Sequence, residues 1–274
     1  MKHSITPTER LNRISEDAMC IGCGLCQSVA GPEVVRMELV TNDTERPIVC
    51  GDLTHETVDR IMDVCPGTRV EGLPEGEITV DTQHDLVWGP YQHMALAYAS
   101  DPQVRHQGST GGVLSALGMY LVESGEVDFI LHAKAARSQP AFGERTISTA
   151  GSEVLAAAGS RYGPTAPLLD VLEQLDKGLT FAFIGKPCDI AALRNLARYD
   201  LRVNQLAKYM LTPVCGGFMP PEGMERFLQK DLGVGSEQIV SLRYRGFGCP
   251  GATRVELADG TVYEKGYTDN TFAN

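Results

Sequence analysis

The hydrophobic and polar positions of this chain follow two periods, one typical of helices and one typical of strands. Residues 54–64 carry apolar side chains at helical spacing, and Thr54 at their start is a residue type that caps helices. Residues 34–40 alternate between apolar and polar side chains, and Asn42-Asp43 after them indicates a turn. The first part of the chain is therefore predicted to be a small unit built from helices and strands.

Farther along, short apolar runs alternate with helical segments in the order typical of an α/β fold. Strands are predicted at residues 91–99, 127–132 and 179–184. Helices are predicted at residues 113–125, 168–175 and 190–197. In the first of these helices, Leu117 belongs to the stripe that is expected to face inward. Near the end, residues 254–257 and 261–264 flank Asp259-Gly260, which predicts a hairpin.

Length and charge exclude several classes of function. The chain has 274 residues, which suits about two domains at roughly 150 residues each. With 24 basic and 35 acidic residues its net charge is −11, so we expect no nucleic-acid binding. The longest apolar stretch, near residues 113–122, is far shorter than the roughly 20 residues of a membrane span. The first residues are polar and show no secretory signal, so a cytoplasmic protein is expected.

Eight cysteines give the most specific chemical signal in the sequence. In a reducing cytoplasm, clustered thiols indicate metal or redox chemistry rather than disulfides. Cys20, Cys23 and Cys26 are spaced evenly with two residues in each gap, and Cys65 is followed directly by Pro66. A C-x2-C-x2-C run with a later Cys-Pro is typical of ferredoxin-type iron–sulfur ligands. The spacing therefore predicts that these four thiolates hold one [4Fe–4S] cluster.

Two other interpretations of these cysteines stay open. Zinc sites use the same ligand type, although usually as two separated pairs, so a zinc-stabilised binding module is an alternative. The other interpretation is that these cysteines are buried thiols that bind no metal. For Cys50, which has no partner at a diagnostic spacing, a small buried apolar residue is the favoured interpretation.

A run of small residues opens the helix predicted at residues 113–125. The run consists of Gly108, Ser109, Thr110, Gly111 and Gly112. Such a loop presents backbone N–H groups, hydroxyl donors and the positive end of a helix to an anion, and a flavin diphosphate is a suitable guest. Glycine-rich turns more often serve tight packing, and this one is neither a Walker loop nor the G-x-G-x-x-G fingerprint, so both interpretations stand.

Two further loops carry reactive side chains. Ser160, Arg161 and Tyr162 lie in a second loop of small residues. Lys186 and Cys188 lie between a predicted buried strand and the next helix, where α/β folds place their ligand sites. The helix start is expected to lower the pKa of Cys188 and favour its thiolate. Lys186 is explained equally well as a solvent-exposed cation without a role in a ligand site.

Together these motifs resemble the beta-subunit family of coenzyme F420 hydrogenases and dehydrogenases, which also contains 7-hydroxymethyl chlorophyll a reductase and related ferredoxin-dependent reductases. The matching stretches lie at residues 108–117, 125–130, 157–164, 185–196, 211–228 and 243–251. The resemblance covers residues 90–274 in order. The resemblance implies an α+β or α/β fold class, with a small ferredoxin-like iron–sulfur module followed by an α/β flavin-binding domain with a mixed sheet.

The resemblance implies three segments and two cofactors. A ferredoxin-like [4Fe–4S] module is expected at residues 1–76, an N-terminal family domain with the flavin-binding loop at 90–175, and an incomplete C-terminal family domain at 176–274. Members typically bind FAD and one or more [4Fe–4S] clusters. Residues 108–112 would hold the flavin diphosphate, and Ser160, Arg161 and Tyr162 would line the flavin pocket. Arg161 stands where members often have Lys.

A second cluster is also implied, and here the sequence departs from the family pattern. Cys188 and Cys215 match cysteines that the family uses for it, and Cys249 stands where many members have Trp. The cysteine-rich tail that usually follows a stretch like residues 267–272 is missing, because the chain stops at Asn274. Two or three cysteines do not complete a cluster, so either the second cluster is absent or the chain is truncated.

The resemblance implies an iron–sulfur flavoprotein oxidoreductase. It would pass electrons between a [4Fe–4S] cluster and FAD to reduce or oxidise a conjugated organic substrate or a deazaflavin-type carrier. His106, Tyr162 and Lys186 are candidates to donate a proton or hold charge near the flavin, although a neutral His packed in the core explains His106 at least as well. The alternative is a non-catalytic electron-transfer subunit of a larger hydrogenase- or dehydrogenase-type complex.

A redox partner is expected in either case, such as ferredoxin or a hydrogenase or dehydrogenase subunit. Ferredoxins are usually acidic, as is this chain, so docking would need a local basic patch. The candidates for that patch are Arg194, Arg198, Arg202 and Lys208. A solvated helix face is the commoner explanation for such a run.

Overall fold

The computed structural model describes residues 5–40 and 44–266. The turn predicted at Asn42-Asp43 and the stretch at 267–272 lie outside the described residues. The first unit of the fold contains α1 (Pro7–Glu16), α2 (Leu25–Ala30), β1 (Val35–Leu39), β2 (Glu45–Val49) and α3 (His55–Val64). Its two strands pair antiparallel and its helices pack against them.

Caps define the starts of α1 and α3. Thr6 accepts a hydrogen bond from the Glu9 N–H while the Glu9 carboxylate accepts one from the Thr6 N–H, which is a complete capping box. The Thr54 hydroxyl accepts from the Thr57 N–H at 3.1 Å. Both helices bury an apolar stripe in one small core, to which α3 contributes Val58. The helix and the strand predicted in this part of the chain are confirmed.

A long connection leads to the rest of the fold. It contains a 3-10 turn at Glu75–Glu77 and a short hairpin of β3 (Gln83–Asp85) and β4 (Gly89–Tyr91). The strand predicted at residues 91–99 is wrong, since the chain beyond β4 forms neither a strand nor a helix up to residue 99. The apolar side chain of Leu96 is fully exposed there, because no neighbouring strand or core is available to it. Alternation alone does not form a strand without a partner.

The central part is built on a four-stranded mixed sheet. Its strands are β5 (Phe129–Ala135), β6 (Gly143–Ser148), β7 (Phe181–Ile184) and β8 (Ala207–Leu211). Their order is β6-β5-β7-β8, with β5, β7 and β8 parallel and β6 antiparallel at the edge. The mixed sheet of the predicted α/β part is therefore confirmed.

Helices cover both faces of this sheet. They are α4 (Pro102–Gln107), α5 (Val113–Glu123), α6 (Gly151–Ala156), α7 (Val171–Asp176), α8 (Pro187–Leu196) and α9 (Arg202–Leu206). One core lies on the Ile130 face with α5 and α6, and another lies on the Phe129 face with α7 and α8. The prediction that Leu117 faces inward is wrong: it is 42% exposed, since α5 buries its Gly118 and Leu121 side instead.

The last part of the chain forms a smaller antiparallel sheet. After α10 (Pro221–Phe227) and a π-helical turn at Leu228–Leu232 come β9 (Ile239–Arg243), β10 (Thr253–Leu257) and β11 (Val262–Lys265). Strand β10 lies between the other two. The predicted hairpin around Asp259-Gly260 is confirmed, whereas β9 was not predicted because too few of its residues alternate.

The first unit packs directly on the central sheet. Cys23, Leu25 and Val64 belong to one buried cluster with Phe181 of β7. The Leu168 N–H donates to the Cys23 carbonyl at 2.9 Å, which fixes the α2 end of the contact. Along the part of the chain that the structure describes, no helix has the length and hydrophobicity to cross a bilayer.

Candidate functional site

Four cysteines from the first unit line one small cavity, which we call the cysteine cavity. Cys20 and Cys23 lie in the loop between α1 and α2, Cys26 lies in α2, and Cys65 follows α3. The remaining walls are mostly apolar side chains of α1, β1, β2 and α3. The four sulfurs that the sequence singled out are therefore brought to one place. Cys50 does not take part, and its predicted burial is wrong, because it is exposed beyond the end of β2.

The loop that carries three of these cysteines depends on two glycines. Gly22 and Gly24 have φ angles of 68° and 86°, a region that side chains disfavour. A Cβ on Gly24 would lie 3.0 Å from the Leu169 backbone, so the loop also approaches the central part closely. At the other side, the Cys65 carbonyl accepts hydrogen bonds from the Thr68 and Arg69 N–H groups. Backbone geometry thus holds both the loop that carries Cys20, Cys23 and Cys26 and the turn that follows Cys65.

Burial and mutual repulsion raise the pKa values of Cys23, Cys26 and Cys65 and so favour their protonated thiols when no cation is near. Burial raises the pKa of Cys26 to about 12, and the neighbouring Cys20 and Cys65 add to the effect. Burial likewise raises the pKa of Cys23 well above its usual range, with Cys26 contributing, and the pKa of Cys65 is raised for the same reason. Thiolates at this place would need strong compensation by positive charge, as a metal centre provides.

No three His, Cys, Asp or Glu side chains within residues 5–40 and 44–266 converge so as to hold a single metal ion. All four cysteines nevertheless line the same cavity.

A larger cavity of about 200 Å³, which we call the ligand cavity, lies at the carboxyl ends of β5 and β7. Parallel strands of α/β folds place their ligands at this edge. Of the predicted site residues, it is lined by Ser109, Thr110, Ser160, Arg161, Tyr162 and Lys186. Residues from three separate loops therefore line one cavity. Gly108, Gly111 and Gly112 lie beside the cavity without lining it.

The glycine-rich loop is shaped by backbone angles rather than by side-chain caps. Thr110, Gly111 and Gly112 have successive φ values of 49°, 75° and 71°. Gly112 begins α5 without any side-chain cap, so the first N–H groups of this eleven-residue helix stay unused by side chains. Leu114 and Ser115 of that first turn line the ligand cavity. The uncapped helix end is thus directed to the cavity and favours negative charge there.

The Ser109 hydroxyl has a different role from the predicted one. It accepts a hydrogen bond from the Ser160 N–H at 3.1 Å and donates to the Arg245 carbonyl at 3.2 Å. Its only proton is therefore already used within the protein. Ser109 joins three loops around the cavity, and Thr110 lines the cavity next to it.

Arg161 and Tyr162 are both held by the last part of the chain. The Arg161 guanidinium donates to the carbonyls of Leu242 and Pro140, and burial lowers its pKa to about 10. The Tyr162 ring packs edge-on against Tyr244 with 5.1 Å between centroids. These contacts attach the loop of residues 160–162, which lines the cavity, to the last part of the chain.

Lys186 stands between the two cavities. Its ammonium lies 2.9 Å from Asp189, which is 1% exposed, and both residues line the ligand cavity. Burial lowers the pKa of Lys186, but the Asp189 carboxylate, through its charge and its hydrogen bond, outweighs this and raises the pKa overall. The same ammonium acts on the Glu45 carboxyl from β2, whose pKa burial raises. This buried pair therefore interacts with both cavities.

Three residues of the site were not found from the sequence. Asp189 and His132 line the ligand cavity, from α8 and β5, and Glu45 comes near Lys186 through tertiary packing. His132 carried a signal, since it ends an apolar run in a predicted strand, and so did Asp189, which stands at capping-box spacing three residues after Lys186. His106, a predicted catalytic residue, is exposed on α4, does not line the cavity, and packs 5.8 Å from the Phe247 ring.

The second set of cysteines forms no evident centre. Cys215 and Cys249 are exposed, and Cys188 is half-buried at the start of α8. The expected lowering of the Cys188 pKa is wrong. Burial and the Asp189 carboxylate raise it, and together they exceed the effects of the Lys186 ammonium and the helix end.

The basic patch predicted for partner docking is neutralised. Arg194 pairs with Glu77 at 2.7 Å, and Arg198 pairs with Glu71. The other two candidates are engaged as well: Arg202 contacts Asp176 and Asp200, and Lys208 donates to the Glu126 carbonyl. These side chains hold the connection and the loops in place, so the patch is not a free docking site.

Comparison with known proteins identifies two family models in this chain. The model described as coenzyme F420 hydrogenase/dehydrogenase, beta subunit N-term, matches residues 94–173. The corresponding C terminus model matches residues 179–271. Together they cover more than half of the chain.

Several curated proteins are similar. The beta subunit of F420-dependent formate dehydrogenase 1 from Methanococcus maripaludis is 30% identical over 54% of this chain and 38% of its own length. The beta subunit of coenzyme F420 hydrogenase from Methanococcus voltae is 24% identical over 57% of this chain and 56% of its own. The chain thus spans about half or less of the length of these relatives.

A solved structure, a xenon derivative of the F420-reducing [NiFe] hydrogenase complex from Methanosarcina barkeri, contains a chain that is 17% identical. The alignment covers 61% of this chain and 57% of that one, with a TM-score of 0.47. The family assignment rests on the two sequence models. From them, the chain belongs to the coenzyme F420 hydrogenase/dehydrogenase beta-subunit family.

Proposed function

We propose that this chain is the electron-transfer subunit of a larger hydrogenase- or dehydrogenase-type complex, with a [4Fe–4S] cluster in the cysteine cavity and a flavin in the ligand cavity. The observation that carries the proposal is the Lys186–Asp189 pair, which lines the ligand cavity while its charges reach Cys23. Two redox sites separated by one buried ion pair suit short-range electron transfer. The relatives are named as beta subunits, which favours a subunit over a free-standing reductase.

The residues of the cysteine cavity fit an iron–sulfur cluster better than a single ion. In a [4Fe–4S] cluster each thiolate binds a different iron, so four cysteines around one cavity suit it. The apolar walls exclude water, and Gly22 and Gly24 let the backbone come close to the sulfurs. The raised pKa values of the thiols mean that binding would release protons. When bound, the cluster supplies one-electron transfer and the flavin one- or two-electron transfer.

The ligand cavity fits a molecule with an anionic part and a flat conjugated part. The uncapped end of α5 and the Thr110 hydroxyl would bind the anion, which we infer to be the FAD diphosphate. Arg161 adds positive charge while its guanidinium holds the loop. Tyr162 and Lys186 would lie beside the ring and hold charge or a proton there.

We infer that the two-electron carrier is coenzyme F420 or a related conjugated molecule, because similar curated proteins are named as F420-dependent. The proposed domain division at residues 1–76, 90–175 and 176–274 follows the family pattern. A reducing compartment such as the cytoplasm suits a chain whose eight cysteines are all free.

Iron, sulfide and flavin content after anaerobic purification tests this proposal. We expect about four irons per chain, following the composition of one cluster, and flavin absorption bands. Cys65→Ser should lose most of the iron, whereas Cys50→Ser, which alters an exposed cysteine outside the cavity, should keep it. One zinc per chain, or equal iron in both variants, would contradict the cluster. Rapid F420 reduction by the isolated chain would contradict the role of a dependent subunit.

A further inference from the structure

A buried histidine lines the ligand cavity. His132 lies on β5 and is 6% exposed. It shares the sheet face of Ile130, against which α5 and α6 pack, while Phe129 and Leu131 point to the other core. Since a polar side chain is costly in such a place without a function or a partner, its contacts decide what it does.

Ser148 fixes the orientation of the His132 ring. The Ser148 Oγ lies 2.8 Å from His132 Nε2, and Ser148 is itself 2% exposed on the neighbouring strand β6. Nδ1, the other ring nitrogen, has no hydrogen-bond partner among the described residues. It is not among the fully enclosed polar atoms that lack a partner, and the residue lines the ligand cavity. The ring is thus tied on one side and free on the side that a ligand could use.

The surroundings favour the neutral imidazole. Burial lowers the pKa of His132 to about 4, and the Lys134 ammonium adds to this while the Glu153 carboxylate opposes it. The Glu153 carboxylate, on α6, accepts a hydrogen bond from the Thr149 N–H at 2.8 Å. At neutral pH the ring therefore carries no charge and offers one nitrogen as a hydrogen-bond group.

We propose that His132 is a ligand-contacting residue of this cavity, which forms a hydrogen bond through Nδ1 to the pyrimidinedione edge of a bound flavin or deazaflavin ring, with Ser148 as its positioning residue. This inference rests on the proposed function, since it needs such a ring in the ligand cavity. The edge of both ring systems carries C=O and N–H groups, so a neutral imidazole can pair with either. Ser148 keeps the ring from turning away from the cavity.

Ligand affinity tests the contact in the full chain, prepared anaerobically with its iron content measured. FAD, riboflavin and an 8-hydroxy-5-deazaflavin are titrated separately, which shows which ring system the cavity prefers. We expect His132→Leu to weaken binding of the preferred ring about 2- to 10-fold, as for one lost hydrogen bond. His132→Asn, which keeps a polar group near the Nδ1 position, should recover part of the loss. Ser148→Ala should weaken binding by a smaller factor.

A spectroscopic signature separates contact from mere support of the fold. In infrared spectra of the bound ring, His132→Leu should shift the carbonyl bands, whereas His93→Leu, at an exposed histidine outside the cavity, should leave both affinity and bands unchanged. Unchanged bands and affinity in His132→Leu would overturn the inference while the proposed function stands. Failure of the unaltered protein to bind any of the three molecules would overturn the flavin part of the proposed function. If His132→Leu does not fold, His132→Asn and Ser148→Ala decide by the same bands.

Discussion

Lys186 is the side chain on which the two cavities depend most. Its ammonium is paired with Oδ2 of Asp189, whose Oδ1 has no hydrogen-bond partner among the described residues, and it acts on Glu45 of the first unit. A buried carboxylate that loses its only cation is strongly destabilised. The stability of the site therefore depends on Lys186, which lies just after β7.

Lys186→Met tests this dependence. We expect a loss of about 3 kcal/mol in the free energy of unfolding, near the lower end for broken buried pairs because the Lys186 side chain is 30% exposed. Lys230→Met, at an exposed position, should change it by less than about 0.5 kcal/mol. Urea denaturation of both variants measures the difference. Equal losses would show that the pair is not buried as the structure has it.

The pKa of His132 gives a prediction for acid stability. Its pKa is about 4 in the folded chain and about 6.5 when unfolded, so the unfolded chain binds this proton first as the pH falls. The stability that His132 contributes is therefore complete above pH 6.5 and is lost towards pH 4, by about 3 kcal/mol. The free energies of unfolding of the unaltered protein and of His132→Asn are measured by denaturation above pH 6.5 and at pH 4. The difference between the two proteins should change by this amount between the two pH values. A difference that is constant with pH would argue against the buried, neutral ring.

At the scale of elements, the loop before α5 depends on glycine for two reasons. Gly112 and Gly125 have φ angles of 71° and 73° at the two ends of this helix. A Cβ on Gly112 would lie 2.6 Å from the Val104 carbonyl oxygen, whereas one on Gly125 would meet nothing within 4 Å. Gly112 is therefore required both by its positive φ angle and by the lack of space for a Cβ, whereas Gly125 is required only by its φ angle.

Alanine at these two positions separates the two effects. Gly125→Ala should cost about 1–2 kcal/mol of stability, which is the strain of a left-handed angle. Gly112→Ala should cost more, because the Val104 carbonyl has to move, and should also lower affinity for an anionic ligand at the helix end. Denaturation and a ligand titration measure the two variants. Similar stability losses would mean that the loop relaxes without disturbing α4.

Local signals explain which elements the sequence predicted. The cap at Thr54 and the turn at Asp259-Gly260 act within a few residues, so α3 and the last hairpin were predicted well. The strand expected at 91–99 failed because pairing depends on a distant strand. The role of Glu45 could not be predicted either, since only tertiary packing brings it near Lys186.

At the scale of the whole molecule, Asn195 joins the first unit to the central sheet. It is buried on α8, and its side-chain amide donates to the carbonyls of Arg69 at 2.9 Å and Val64 at 3.3 Å. These carbonyls lie at and just beyond the end of α3, close to Cys65. The position of the fourth cysteine therefore depends on a residue of the other part of the chain.

Asn195→Ala should loosen this junction. Two buried carbonyls would lose their donor, at about 1–3 kcal/mol for each that stays unsatisfied. We expect faster hydrogen exchange in α3 and a lower iron content, while exchange in β10 stays unchanged. Asn204→Ala, at an exposed position on α9, is the matched control. Uniformly faster exchange throughout the chain would instead indicate global destabilisation.

The buried cluster that contains Leu25, Val64 and Phe181 limits how this protein can be recombined. Cutting the cysteine-bearing unit away would leave apolar surface on both fragments, which favours aggregation. A designer who wishes to graft the four sulfurs onto another scaffold would need to transfer α7 and α8 with them. Otherwise, the positions that now face those helices would have to be made polar.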